Sequence, residues 1–168
     1  YHHETDNVTY DGKIFRWEKE MSPPVKRGFA TFDFKAGTLK TNASQDKLVL
    51  AELDYWRKEP LCLYNYSDKD SIVRLEIKDR DHFWRGWFKP GIKNRHQWDV
   101  FLSDKIPWEL AIENAVMSGN LDFSALTVEN LSVDSDASTL KIKLGNKAKN
   151  FKEKIDSDAS TLELLLPK

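Results

Sequence analysis

Asp134-Ser135-Asp136-Ala137-Ser138-Thr139-Leu140 recurs residue for residue as Asp156-Ser157-Asp158-Ala159-Ser160-Thr161-Leu162, a displacement of 22 positions. The likeness extends outward. Val133 matches Ile155, Ile142 matches Leu164, Leu144 matches Leu166, and Gly145 matches Pro167 where each copy must turn. Apolar and polar residues alternate on both sides of the small Ala-Ser pair, so each copy reads strand, tight corner, strand. Two such strands and their connections make one coil of a solenoid, and stacked coils bring equivalent positions to about 4.8 Å from one another. The repeat therefore predicts ladders in which Val133, Leu140, Ile142 and Leu144 point inward beside their mates. Small corner residues let the chain bend, and the hydroxyls of Ser138 and Ser160 can satisfy backbone groups that leave the sheet there.

A degenerate earlier copy lies in Ile112 to Phe123 (IENAVMSGNLDF), with Leu121 and Phe123 in the places of Leu140 and Ile142. Leu126, Val128 and Leu131 fill the connection between coils. The last coil ends on Leu162 to Leu166 (LELLL). A terminal strand of a stack needs cover, and consecutive leucines predict cover on both faces, from the N-terminal part of the chain or from a second copy in a homodimer.

Upstream, short alternating runs predict half-buried strands: Phe29 to Phe34, Leu48 to Trp56, Leu61 to Tyr66, Ile72 to Ile77, Trp98 to Leu102 and Trp108 to Ile112. No window of a dozen residues presents an i, i+3, i+4, i+7 stripe, so helix is minor or absent. The expected fold is all-β, with antiparallel N-terminal strands packed on, and capping, a short C-terminal β-solenoid. Residues 1–24 read as an extension, 25–107 as an N-terminal β region and 108–168 as the repeat region, together one continuous domain.

The chain's 168 residues suffice for one ordinary domain, and 40% hydrophobic with 32% charged residues excludes a disordered or membrane-spanning chain. A net charge of −1 supplies no global field for nucleic acid. Cys62 is the single cysteine, so the chain forms no internal disulfide and no Cys-based zinc site; between Leu61 and Leu63 it reads as an apolar filler. The sequence opens on Tyr1 with no basic start before an apolar stretch, as in a mature or trimmed fragment. Asn-X-Ser/Thr occurs at Asn7, Asn42, Asn65 and Asn130, but a secreted glycoprotein of this size without disulfides would be unusual.

Only Phe123 and Phe151 are aromatic after Trp108, which turns the search for a binding site toward the first 108 residues. There, Arg80 to Trp98 (RDHFWRGWFKPGIKNRHQW) combines Phe83, Trp84, Trp87, Phe88 and Trp98 with cations that include Arg85, Lys89 and Arg95. Aromatic faces stack on sugar rings or bases, cations hold phosphate or carboxylate, and Trp beside Arg suits a membrane interface. The competing structural reading is a hairpin of Phe83 to Phe88 and Lys93 to Trp98 around Lys89-Pro90-Gly91, in which alternation still leaves aromatics on both faces.

Asp134, Asp136, Asp156 and Asp158 stack as like charges if the coils are in register, which either draws a calcium ion or leaves solvated carboxylates facing Lys141, Lys143 and Lys154. Paired carboxylates on neighbouring coils also occur in polysaccharide-cleaving β-helices, but two or three coils offer too short a groove. No Ser-His-Asp order, phosphate loop or His-x-Glu motif is present. His2 and His3 read as an end or tag remnant, and His82 and His96 as rim residues of the hairpin. The expectation is a non-enzyme without a cofactor.

Trp98-Asp99-Val100-x-Leu102, then Ile106-Pro107-Trp108-Glu109-Leu110, the turn at Gly119 and the DSDAST repeats together resemble the bacterial toast-rack family. The C-terminal half is similar to LiaF-type cell-wall-active-antibiotics-response proteins, whose corner runs roughly D-T-G-A-S-x-V/L-x-I-x-L-G. Phe34-Lys35-Ala36-Gly37-Thr38-Leu39-Lys40 looks like the family's N-terminal G-A-G-x-L-x-I strand pair. The resemblance covers about Val25 to Lys168; it departs where Asp136 and Asp158 stand in place of Gly, and in the polar Asn42-Ala43-Ser44. It implies an all-β rack, no catalytic residues, and a domain outside the cytoplasm whose membrane tether lies beyond this stretch. The function it implies is a non-enzymatic interaction or sensing domain of the bacterial envelope with a protein or envelope component as partner. The alternative is a glycan- or membrane-surface-binding module using residues 80–98.

Overall fold

The computed structural model describes residues 13–55, 58–80, 97–147 and 152–167, with backbone only at 116–117 and 157–160. Nine strands follow one another: β1 (Lys13–Glu20), β2 (Arg27–Ser44), β3 (Lys47–Tyr55), β4 (Leu61–Ser67), β5 (Ile72–Lys78), β6 (Gln97–Ser103), β7 (Pro107–Phe123), β8 (Thr127–Leu144) and β9 (Lys152–Leu165). Among the described residues there is no helix, as the period-two patterning predicts.

β2, β7, β8 and β9 run parallel in that order. A straight strand the length of β7 would span about 55 Å, while the three residues between β7 and β8 reach about 10 Å at most. Yet β8 begins beside the start of β7, with Thr127 opposite Pro107. Each long strand must therefore fold back at its corner into two legs. Corner over corner, Ala36, Val116, Ala137 and Ala159 stack, followed by Gly37, Met117, Ser138 and Ser160. Gly37 has φ 136°, a backbone conformation open to glycine and strained for other residues.

On the other side of β2 the two legs take different partners. β5 pairs with Arg27 to Asp33 and β6 with Thr38 to Ser44, both parallel. β5 and β6 thus pair with the two legs of β2 as the legs of a further rung. Antiparallel pairs close that end: β4 on β5, and β3 then β1 on β6.

Inward side chains form rows across the rungs. Ile77, Phe32, Ile112 and Val133 make one row on the first leg; Val100, Thr41, Leu121 and Ile142 make one on the second. Rows from both legs join in one buried cluster, where Phe34 of the first leg meets Trp98 of the second at 4.6 Å between ring centroids. Trp108 lies opposite Gly28, whose hydrogen leaves the room the indole occupies, and its Nε1 donates to the Ser103 carbonyl at 2.9 Å.

The 22-residue displacement sets the register of β8 on β9: Val133 pairs with Ile155, Asp134 with Asp156, Leu140 with Leu162 and Ile142 with Leu164. The earlier copy is placed differently from expectation. Leu121 and Phe123 stand beside Ile142 and Leu144, and Gly119 takes the place beside Leu140. Matching apolar residues in the sequence passes over Gly119, because Leu39 and Leu140 flank it from both sides and fill the row without it.

Candidate interaction surface

β5 leaves β2 at Asp33 opposite Lys78, and β6 returns at Thr38 opposite Gln97. The Asp79 amide still donates to the Asp33 carbonyl at 2.8 Å, and the Asp79 residue is 5% exposed. The chain thus leaves the side of β2 at Asp33 and rejoins it at Thr38, where the other rungs carry a small corner. Phe83, Trp84, Arg85, Trp87, Phe88, Lys89 and Arg95, with His82, His96 and the expected hairpin around Pro90, lie outside the described residues.

Trp98 is described, and it is 1% exposed: it opens the inner row of β6 between Leu39 and Leu53 and packs on Phe34. A side chain so enclosed supports the rung and reaches no ligand. Period-two counting along the segment places it with the other aromatics, whereas its pairing partners place it in the core.

Beside the ends of the insertion an open depression of about 560 Å³ is lined by Lys35, Lys58, Lys78 and Arg80 with Glu59 and Asp79. The Lys78 ammonium stands 3.7 Å from the Asp33 carboxylate. Arg80 Nε donates to the Glu59 carbonyl at 2.6 Å, which holds the guanidinium at the rim. Tyr55 donates its hydroxyl to Glu59 at 3.4 Å, and burial followed by the Glu59 charge raises its pKa. With the Asp33 carboxylate that Lys78 faces, four cations stand against three carboxylates around this concavity, a slight local excess of positive charge. Lys35 and Lys58 come from the β2 corner and the β3–β4 connection, so separation in sequence hides the cluster.

Cys62 on β4 is half-buried opposite Ile77, and burial pushes its thiol up to about 12 against the opposing pull of the Arg80 charge. That is the environment of an unreactive filler. Asp134, Asp136 and Asp156 are exposed, and among the described residues no group of three or more His, Cys, Asp or Glu gathers to hold a metal. The Asp158 side chain lies outside the described residues. Lys141 faces Glu163 across β8 and β9 at 3.9 Å. Of the four glycosylation triplets, Asn42 and Asn65 are exposed, Asn130 donates to Glu109 at 2.7 Å, and Asn7 lies outside the described residues.

At the far end of the ladder an apolar notch of about 300 Å³ opens between Phe123, Leu126, Val128, Leu144, Leu166 and Pro167. Beside it, Leu162, Leu165 and Leu166 are 41%, 36% and 65% exposed. The N-terminal strands, which were one expected cover for these leucines, stand at the opposite end of the sheet. No helix among the described residues is long and apolar enough to cross a membrane.

The family model described as the N-terminal domain of toast_rack matches residues 3–165. The chain belongs to the toast-rack family. This toast-rack chain also matches the crystal structure of a "putative cell adhesion protein" from Clostridium sporogenes, with TM-score 0.67 and 15% identity, over 93% of this chain and 100% of that one. At that identity the likeness is one of fold. No curated protein matches the sequence. The all-β rack expected from the corners and from Trp98 to Leu110 stands.

Proposed function

We propose that this toast-rack chain is a non-enzymatic interaction or sensing domain of the bacterial cell envelope, working outside the cytoplasm with its membrane tether outside residues 1–168. Its binding element is the insertion at residues 81–96. The observation that carries the reading is placement: one rung alone exchanges its corner for a long basic and aromatic segment, anchored at Asp33 and Thr38 of β2. Loops on rigid scaffolds are where binding residues concentrate. The family and the neighbour described as a cell adhesion protein support an envelope role. In this reading the molecule is a short solenoid capped by antiparallel N-terminal strands, and the repeated coils are scaffold. A likeness of the C-terminal half to LiaF-type proteins belongs to the same proposal.

The experiment is a pull-down from envelope extracts with the wild-type chain and with Trp84→Ala/Trp87→Ala. Loss of the recovered partner with the double variant supports the reading; recovery of the same partner by both chains overturns it.

A second reading is favoured by the depression lined by Lys35, Lys58, Lys78 and Arg80. Cations beside a segment rich in Trp match anionic glycans or the surface of anionic membranes. Tryptophan fluorescence titrated with envelope glycans and with anionic vesicles tests it. Unchanged spectra and no retention on either exclude this second reading and leave the protein partner.

A further inference from the structure

We infer that the outer face of the second legs carries a saccharide site of its own, a depression across β6, β2 and β7 that takes one pyranose unit of a neutral glycan chain. The depression measures about 280 Å³ and is lined by Lys40, Asn42, Asp99, Phe101, Asn120 and Asp122. Thr41 and Val100 lie between them in the lining with their side chains buried in the core, so the strands themselves make the floor. It shares no residue with the depression at Arg80, and the inference does not rest on what residues 81–96 bind.

Strand register builds the site as a grid. Asp99, Lys40 and Asn120 are paired neighbours on three adjacent strands, about 4.8 Å from one another. Phe101, Asn42 and Asp122 stand two residues further along the same strands, a second row about 7 Å from the first. Lys40, Asn42 and Asn120 are exposed, and Asp99, Phe101 and Asp122 are half-buried. Because β2 is hydrogen-bonded on both sides, the grid is in place before a ligand arrives, which spares the cost of ordering it.

The side chains select the ligand. Asn42 Oδ1 accepts from the Ala43 amide at 2.7 Å, which leaves its Nδ2 to donate outward. Both bonds from Ser124 to Asp122 end on Oδ1 and leave Oδ2 to accept. Asp99 accepts from Gln97 at 3.3 Å, and no ion pair joins it to Lys40 among the described residues. Donors and acceptors thus alternate beside an aromatic ring. A sugar hydroxyl is donor and acceptor at once, neighbouring hydroxyls suit planar amides and carboxylates, and the C–H face of a pyranose packs on Phe101. Other ligand classes meet an obstacle here. Two carboxylates against one ammonium repel phosphate, sulfate and nucleic acid, and the Ser124 bonds keep Asp122 ionised. A divalent cation meets Lys40 and finds no group of three acids among the described residues. An apolar partner leaves the polar groups without hydrogen bonds. The first row runs on past the depression, to Glu52 beside Asp99 and Lys141 beside Asn120, so further sugar units can lie across the strands.

Affinity electrophoresis of the chain in native gels containing dextran, mannan or hydroxyethylcellulose as neutral probes, and alginate as an anionic one, tests the inference. The expected result is retardation by at least one neutral polymer and none by alginate. Asn120→Ala and Phe101→Ala should each weaken that retardation about tenfold. The Asn120 side chain is exposed, so Asn120→Ala should leave the thermal melt within about 2 °C of the wild type and separates lost binding from lost folding. Trp84→Ala/Trp87→Ala should be retarded as fully as the wild type. No retardation by any neutral polymer, retardation by alginate alone, or retardation indifferent to Asn120→Ala each overturns the inference. Retardation lost with the double tryptophan variant assigns the sugar to the basic segment and overturns it as well.

Discussion

Gly28 and Trp108 are reciprocal. A β-carbon at position 28 would stand 2.3 to 2.8 Å from three atoms of the indole six-membered ring, closer than any packed carbon comes. Gly28→Ala must push Trp108 off its hydrogen bond to the Ser103 carbonyl or shift β7 away from β2. The expected cost is about 1–3 kcal/mol by denaturant unfolding. In a Trp108→Phe background, which lacks the ring atoms that clash, the same substitution should cost clearly less; an equal cost in both backgrounds would sink this account. Cys62 gives a prediction in pH. Its thiol is raised from 9.0 to about 12 by burial, so unfolding releases a proton between those values and stability is lost as pH rises through that window. Burial raises Tyr64 as well, so part of the alkaline slope belongs to it. Cys62→Ala should flatten the fall in melting temperature above pH 9.0 without abolishing it. The wild-type thiol should alkylate far more slowly at neutral pH than in denaturant.

The turn from β7 to β8 is the element on which the folded-back geometry depends, since three residues bring the chain to the next rung. Asp122 organises it by accepting from the Ser124 hydroxyl at 2.5 Å and from the Ser124 amide at 3.0 Å. The hydroxyl bond is the main cause that lowers the Asp122 pKa; the amide and Lys143 add to it, and burial opposes. A carboxylate with a lowered folded pKa contributes stability above its unfolded value of 3.8, and that contribution is lost as pH falls through the folded value. Asp122→Ala should cost about 0.5–1.5 kcal/mol at neutral pH, and its melting temperature should converge on the wild type in acid. A gap that persists in strong acid would mean that the side chain matters for packing. How far such elements are legible in the sequence depends on side-chain identity. The β8–β9 register is readable because Ser135, Ala137, Thr139 and Leu140 repeat unchanged. The β7–β8 register is not, because Gly119 beside Leu140 shares no chemistry with it. The β5/β6 rung escapes the sequence altogether: its legs pair with β2 some forty residues or more away, and no corner signature survives between them.

At the scale of the whole molecule, the aromatic asymmetry acquires a structural address. Phe32, Phe34, Trp98 and Trp108 are spent on the core where β2, β6 and β7 meet, so they are unavailable to a ligand. Trp84 and Trp87 of the basic segment lie outside the described residues, and the proposed function assigns them to binding. Between Lys78 and Gln97 the chain uses eighteen residues to cross a gap that β2 itself crosses with four, Phe34 to Gly37. Replacing residues 81–96 by Ala-Gly leaves Asp79 and Arg80 in place and gives the rung a crossing of the same length as that of β2. A shorter loop costs less entropy to close, so the shortened chain should melt within about 5 °C of the wild type. It should also lose retention on the partner recovered from envelope extracts. Circular dichroism and a thermal melt read the first expectation, and the pull-down reads the second. A chain that no longer folds would assign the aromatic segment to the core of the cap. A chain that folds and still retains the partner would move the binding site to the cations left behind at Lys35, Lys58, Lys78 and Arg80. The combination of an intact rack and a lost partner is the outcome that a scaffold with a single inserted binding corner demands.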